Sequence, residues 1–274
     1  MSKNDSPDDL KGAVALVTGA AGGIGKAIAA RLLRDGGRVI MTDINRDTLA
    51  SATEALAAEF GEDKVFHTEL NVVDEDSVAR AFAEGRQNFG QINIVVSNAG
   101  IAFAAPLTET AVDDWDRCMD ILGKGYFLVS REALRFFTAQ GTGGNIVFIG
   151  SKNGLTASVN ASAYCAAKAA EVNLARCVAL EGAAVGVRAN TVSTEAVIRG
   201  SAIWDGPWRA ERAAAYGVEP DQLEEYYRNR TLLKQSILPE DVADAVAFFA
   251  SDRSIKMTGN ILSVDGGNQL AFAR

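Results

Sequence analysis

The stretch from Ser151 to Lys168 carries a hydroxyl, a phenol and an ammonium at spacings that suit acid–base chemistry. Tyr164 and Lys168 stand four apart in an alanine-rich segment that should be helical, so both side chains lie on one helix face. A free tyrosine titrates near about 10 and a free lysine near about 10.4. A positive charge beside the phenol favours the phenolate. Lowering the tyrosine by roughly three units takes about 4 kcal/mol, at roughly 1.4 kcal/mol per unit. One lysine falls short of that, whereas a lysine and a bound cofactor cation together could reach it. Ser151, which follows the apolar run at residues 146–149, would hold a substrate oxygen by a hydrogen bond. Taken alone, the pair more often describes an aromatic packed inward beside a solvated lysine, so the rest of the chain must decide.

The elements that position these residues come in a regular order. Apolar runs at residues 14–18, 38–43, 64–70, 92–97, 145–149, 186–192 and 260–264 read as strands. Helical patterns fall between them: one after the glycine loop that ends near Gly36, then residues 47–60, 75–89, 113–137, 161–181 and 239–250. Apolar strands alternating with helices imply an α/β fold, a doubly wound parallel sheet of about seven strands with helices on both faces. One domain over residues 1–274 is expected. The rhythm breaks at residues 195–230, which carry Trp204, Trp208, Tyr216, Tyr226 and Tyr227. A segment of that length reads as a substrate lid, its aromatics either fastening it to the body or touching substrate.

Composition narrows the function. The net charge of −8 disfavours nucleic acid and anionic membranes, which need a cationic surface. Residues 1–11 are polar and acidic, unlike a signal peptide, so a short loose tail and a cytoplasmic protein are expected. His67 is the sole histidine, read as a partly buried strand-end residue, which argues against Ser-His catalysis. Cys118, Cys165 and Cys177 have no metal-ligand spacing and read as reduced, mostly buried thiols. No metal is expected.

The run Gly19-Ala-Ala-Gly22-Gly23-Ile24-Gly25 follows the first strand and opens the first helix. Glycines there let the backbone approach a pyrophosphate, and the helix N-terminus supplies free N–H groups. Asp43 ends the second strand, where a carboxylate can bind a ribose 2′-hydroxyl and repel a 2′-phosphate. The loop has no basic residue to neutralise such a phosphate, which favours NAD over NADP. Asp43 also fits a turn or cap role, although Asp47 is the better cap for the next helix.

The glycine loop, Asp43, Ser97-Asn98-Ala99-Gly100, Ser151 and Tyr164-x-x-x-Lys168 occur in one order, and the set resembles the short-chain dehydrogenase/reductase family. The resemblance covers residues 11–267, including the closing run Ser263-Val-Asp-Gly-Gly267. It implies a Rossmann-like fold and hydride transfer between an alcohol and nicotinamide. Tyr164 would be the general base or acid, Lys168 would lower its pKa and bind the nicotinamide ribose, and Ser151 would orient the substrate oxygen. Asn98 and Gly100 would line the cofactor cleft, and Asn71 and Val72 would contact adenine. A homotetramer is implied, built through the fourth and fifth helices and the last strand.

Three departures from the family pattern stand out. Leu122 occupies the position of an asparagine that anchors a proton relay; a backbone carbonyl near Gly123, or Asn153, could replace it. The turn after the sixth strand reads Ser193-Thr194-Glu195 in place of Pro-Gly, leaving the backbone of Val197 to serve the carboxamide. Glu195 there would favour a polyhydroxy or cationic ligand. Arg199 stands in place of a threonine and either binds a carboxylate or phosphate or makes a surface salt bridge. A narrower likeness, at Gly200-Ser-Ala-Ile-Trp204 and around Trp208 and Tyr227, is to the dehydrogenase portion of bifunctional rhamnulose-phosphate aldolase/dehydrogenase proteins. It implies a sugar, polyol or short hydroxy-aldehyde substrate, with Trp204 at the site. The competing reading is a catalytically idle NAD-binding regulator on the same fold.

Overall fold

The computed structural model describes residues 9–272. Seven aliphatic, β-branched segments pair in parallel throughout, in the order β3-β2-β1-β4-β5-β6-β7. They are β1 Val14–Thr18, β2 Arg38–Asp43, β3 Val65–Glu69, β4 Ile94–Ser97, β5 Gly144–Ser151, β6 Val187–Thr194 and β7 Ile261–Val264. Every residue of the central β1 and β4 is buried, as a sheet covered on both faces requires. Edge strand β3 is more open, and His67 is exposed within it rather than half-buried at a strand end.

Helices cover both faces and divide the apolar residues into two cores. α1 (Gly23–Arg34), α2 (Arg46–Phe60) and α9 (Pro239–Ala250) pack on one face, through Ile28, Leu49 and Phe249. α3 (Glu75–Phe89), α5 (Gly125–Gln140) and α6 (Ser162–Gly182) pack on the other, through Phe82, Tyr126 and Ala175. The cap of α2 is Asn45, whose side chain accepts from the Thr48 N–H at 3.1 Å. Asp47, expected to be the cap, lies inside the first turn. Asn45 is favoured because it still has extended backbone, which the N-cap position needs.

The helical stretch expected at residues 113–137 is not uniform. α4 (Val112–Cys118) passes into a π-helical segment, Met119–Lys124, before α5 begins. Gly125 permits close approach there: a Cβ on it would meet Val72 Cγ2 at 2.9 Å. β6 continues through Ser193 and Thr194, which pair with Ser263 and Val264 of β7, so the expected turn at residues 193–195 is still strand for two residues. Neither residue is a proline, and their N–H groups remain free for the ladder.

Residues 195–230 form a 3₁₀ turn, α7 (Pro207–Tyr216) and α8 (Leu223–Asn229), with a small core of their own. Trp204, Trp208, Ala213, Leu223 and Tyr227 close against Ala104, Ala161 and Ile198. The loose tail expected at residues 1–11 lies outside the described residues as far as residue 8. Leu10 is buried and its N–H donates to the Asp35 carbonyl, so the chain is already anchored there. Cys118 is buried, but Cys177 is exposed, against the expectation of mostly buried thiols.

Candidate active site

The strand order reverses between β1 and β4, and the carboxyl ends of these two strands open a crevice where such folds bind ligands. The loops on either side of it are fastened together. The N–H groups of Asn98 and Ala99 donate to Thr18 Oγ1 at 2.9 and 3.0 Å. Asn98 Nδ2 donates to the carbonyls of Thr18 and Gly19 at 2.9 and 3.0 Å. Asn98 therefore holds the glycine loop against the end of β4.

That loop is glycine-rich for steric reasons. Gly19 has φ +64, and a Cβ on it would meet Ala99 Cα at 2.8 Å. A Cβ on Gly25 would lie 2.1 Å from the Gly19 carbonyl oxygen. Gly23, with φ +52, faces the Gly200 carbonyl, so the loop also touches the start of the covering segment. Asp43 fixes the loop from β2: Oδ2 accepts from the Ala21 N–H at 3.2 Å and Oδ1 from the Asn45 N–H at 3.0 Å.

A cleft of about 460 Å³ runs from this loop to the end of β5. Gly19, Gly23, Ile24, Gly25 and Asp43 line one end; Asn98 and Gly100 line its wall; Tyr164 and Lys168 line the other end. The cradle fits a dinucleotide: side chains are missing where a pyrophosphate would need the backbone, the α1 N-terminus faces the cleft, and a carboxylate stands beyond it. Asn71 and Val72 are not among the residues lining this cleft. Asn71 accepts from the Val73 N–H at 3.3 Å, and Val72 is buried against Gly125.

β5 ends on Ser151 and α6 begins two residues before Tyr164, which brings the two hydroxyl groups together. Tyr164 is half-buried and opens on the cleft; Lys168 is buried. Lys168 Nζ lies 5.8 Å from the Tyr164 ring centroid and donates to the Ile149 carbonyl at 3.0 Å. It also donates to both carboxylate oxygens of Glu171, each at 3.0 Å. Burial raises the Tyr164 pKa; Lys168 and Ser151 pull it down, and Glu171 pushes it up. The net direction is upward, so Lys168 alone does not turn the phenol into a base. Burial opposes the Lys168 charge, but Glu171, Tyr126 and Tyr164 outweigh it and hold the ammonium charged.

A second, smaller cavity of about 90 Å³ shares Tyr164 as a wall. Ser151, Lys152, Asn153, Glu195 and Trp204 line it, with Trp208 and Tyr227 closing it from the covering segment. The rings of Tyr164 and Trp208 lie 5.7 Å apart, and Trp204 and Trp208 5.9 Å apart. The aromatics thus both fasten the segment and line the cavity. Val197 is buried at the same place. Lys152 Nζ donates to Ser158 Oγ at 2.9 Å, and Ser158 Oγ donates to Asn153 Oδ1 at 2.9 Å. Burial lowers the Lys152 pKa, while Glu195 works to raise it. Glu195 accepts from the Ala196 N–H at 3.2 Å and from Asn268.

Asn153 lines the small cavity, where its side-chain oxygen accepts from Ser158 Oγ at 2.9 Å, and it makes no direct hydrogen bond to Lys168. Arg199 is exposed, pairs with Glu224 at 2.8 Å, and lines neither the cleft nor the small cavity, so it is a surface salt bridge. Two residues escaped the sequence reading: Lys152 and Glu171. The last carried a signal, an acid three residues beyond Lys168 on the same helix face.

The match to known proteins spans most of the chain. Residues 19–269 fit the family model described as enoyl-(acyl carrier protein) reductase. A Bacillus subtilis (strain 168) protein named uncharacterized oxidoreductase YuxG is 48% identical over 95% of this chain, and the chain spans 38% of that protein's length. D-threitol dehydrogenase of Mycolicibacterium smegmatis is 36% identical over 94% of this chain and 93% of its own. The crystal structure of sorbitol-6-phosphate 2-dehydrogenase from Erwinia amylovora superposes with a TM-score of 0.88 at 28% identity, covering 93% of this chain and 98% of that one. With this sheet order, this glycine cradle and these relatives, the chain belongs to the short-chain dehydrogenase/reductase family of oxidoreductases.

Proposed function

We propose that the protein is an NAD-dependent dehydrogenase that interconverts a hydroxyl and a carbonyl on a small polyhydroxy substrate: a sugar, a polyol or a short hydroxy-aldehyde. The observation that carries this reading is the position of Tyr164 as the shared wall of two cavities. One is long and fits a dinucleotide; the other is small, with polar groups at one side and indole rings at the other. Bound nicotinamide would supply the hydride acceptor or donor. Tyr164 takes the proton from the substrate hydroxyl in oxidation and returns it in reduction. Ser151 holds the substrate oxygen beside that phenol. Lys152, Asn153 and Glu195 provide donors and acceptors for further hydroxyl groups, and their charges balance, which suits an uncharged polyol. The names of the relatives, a threitol dehydrogenase and a sorbitol-phosphate dehydrogenase, support the substrate class. The YuxG match over part of a longer protein fits the likeness to a dehydrogenase portion of a bifunctional protein.

NAD is proposed over NADP because Asp43 is the ionisable residue at the loop end of the cleft, with no lysine or arginine lining that end. A homotetramer is proposed from exposed apolar residues on α4–α6, among them Trp115, Phe127 and Leu180. Among the described residues, no helix is long and apolar enough to cross a membrane.

The test is reduction of NAD over a panel of polyols, aldoses, hydroxy-aldehydes and hydroxy acids, with and without phosphate. Turnover with a small neutral polyol or hydroxy-aldehyde is expected. Tyr164→Phe should cut that rate by about 10²–10⁴-fold with NAD affinity unchanged, the usual contribution of a general acid–base group. Tight NAD binding without turnover on any member would favour the regulator reading instead.

A further inference from the structure

Glu171 is 0% exposed, and both its oxygens bond to Lys168. A carboxylate is not needed there to hold the lysine, because the Ile149 carbonyl already accepts from Nζ at 3.0 Å. That same carbonyl accepts from the Tyr126 hydroxyl at 3.1 Å. Leu122, at the position where an asparagine was expected, is buried and apolar, and offers the lysine nothing.

The groups around Glu171 leave Lys168 as its ionic partner. From α6 come Lys168 and Tyr164. α5 contributes the Tyr126 phenol, which burial keeps protonated. The charged residue of β6, Arg188, is turned to the carbonyls of Ser254, Met257 and Phe249. Lys152, in the turn after β5, is turned to Ser158.

Charge counting then couples the two acids that flank one ammonium. With Lys168 charged and Glu171 ionised, the cluster is neutral, and losing the Tyr164 proton would leave a net negative charge in a buried site. With Glu171 protonated, the phenolate and the ammonium balance. We propose that Glu171 governs how readily Tyr164 gives up its proton, acting through the Lys168 ammonium that both groups share. Glu171 is thus a positioning and tuning residue rather than one that touches substrate. Burial supports this by pushing its carboxyl well above the ordinary carboxylate range, against the pull of Lys168. The two ionisations belong to the coupled cluster rather than to separate residues. The inference rests on Tyr164 being the acid–base group of the proposed dehydrogenase.

Absorbance titration of tyrosinate reads this without any substrate. Each protein is compared with its own Tyr164→Phe partner, so the difference isolates Tyr164. Glu171→Gln retains an acceptor for Lys168 but not the charge, and Tyr164 should ionise about one pH unit lower or more, the usual size for removing a nearby like charge. Glu171→Asp keeps the charge and should titrate like the wild type. A Tyr164 titration that is unmoved or raised in Glu171→Gln, or lowered equally in Glu171→Asp, overturns the proposal. Should Glu171→Gln not fold, NMR of carboxyl-labelled glutamate in the wild type decides: a resonance lost in Glu171→Asp must titrate well above the ordinary carboxylate range. If that resonance titrates in the ordinary range, the proposal fails. Because no turnover is read, failure of the substrate panel and failure of this coupling are separate results.

Discussion

At the scale of single residues, the candidate site holds opposed charges at short range. Lys168 stabilises the Tyr164 phenolate while Glu171 stabilises Lys168, and the three side chains lie within two turns of α6. Asp43 plays a comparable double part at the far end of the cleft. It fastens the glycine loop through the Ala21 N–H and still has lone pairs to offer. Asp43→Asn should weaken NAD binding by about tenfold or more, since a hydrogen bond to a charged group contributes about 1.5–3 kcal/mol. It should also narrow the gap between NAD and NADP. Fluorescence titration with both coenzymes measures this, and an unchanged preference would remove Asp43 from the coenzyme argument.

At the scale of elements, each functional side chain is placed by a strand end or a helix start. Ser97 closes β4, Ser151 closes β5, and the glycine loop joins β1 to α1 without room for a side chain. Gly25→Ala should therefore destabilise the fold by roughly 1–3 kcal/mol, the usual cost of overpacking, and weaken coenzyme binding in parallel. Denaturant unfolding with and without NAD tests both. A stable variant with full affinity would mean that the loop has more room than the 2.1 Å approach to the Gly19 carbonyl implies. Strands and helices were legible at this scale because a covered parallel sheet forces continuous apolar runs. The π-helical segment at Met119–Lys124 and the extension of β6 to Thr194 were not. The β6 extension depends on a neighbour distant in sequence, the β7 ladder.

For the whole molecule, the sheet order puts the long cleft at the reversal between β1 and β4, and the α7–α8 segment closes the small cavity beside it. The outer faces of α4, α5 and α6 still present apolar side chains, with Leu180 at 81% exposure and Phe127 at 44%. If these faces join subunits, Phe127→Glu should shift the mass found by sedimentation equilibrium from tetramer toward dimer or monomer. An undiminished tetramer would place the interface elsewhere.

The sequence by itself determined the α/β class, the glycine cradle, Asp43 and the Ser151, Tyr164 and Lys168 set. These follow from local period, from steric demands on single positions, and from a fixed order along the chain. Tertiary structure alone decided what surrounds them. Arg199 has the chemistry to serve the site, yet it turns to Glu224 at the surface, whereas Asn153 lines the small cavity beside Ser158. Lys152 has no sequence signature, and only folding of the α7–α8 segment brings Trp208 onto Tyr164. Glu171 was visible as a neighbour of Lys168 on the helix, but its weight comes from complete burial. Burial depends on what packs over a residue, and that is set by distant parts of the chain rather than by local spacing.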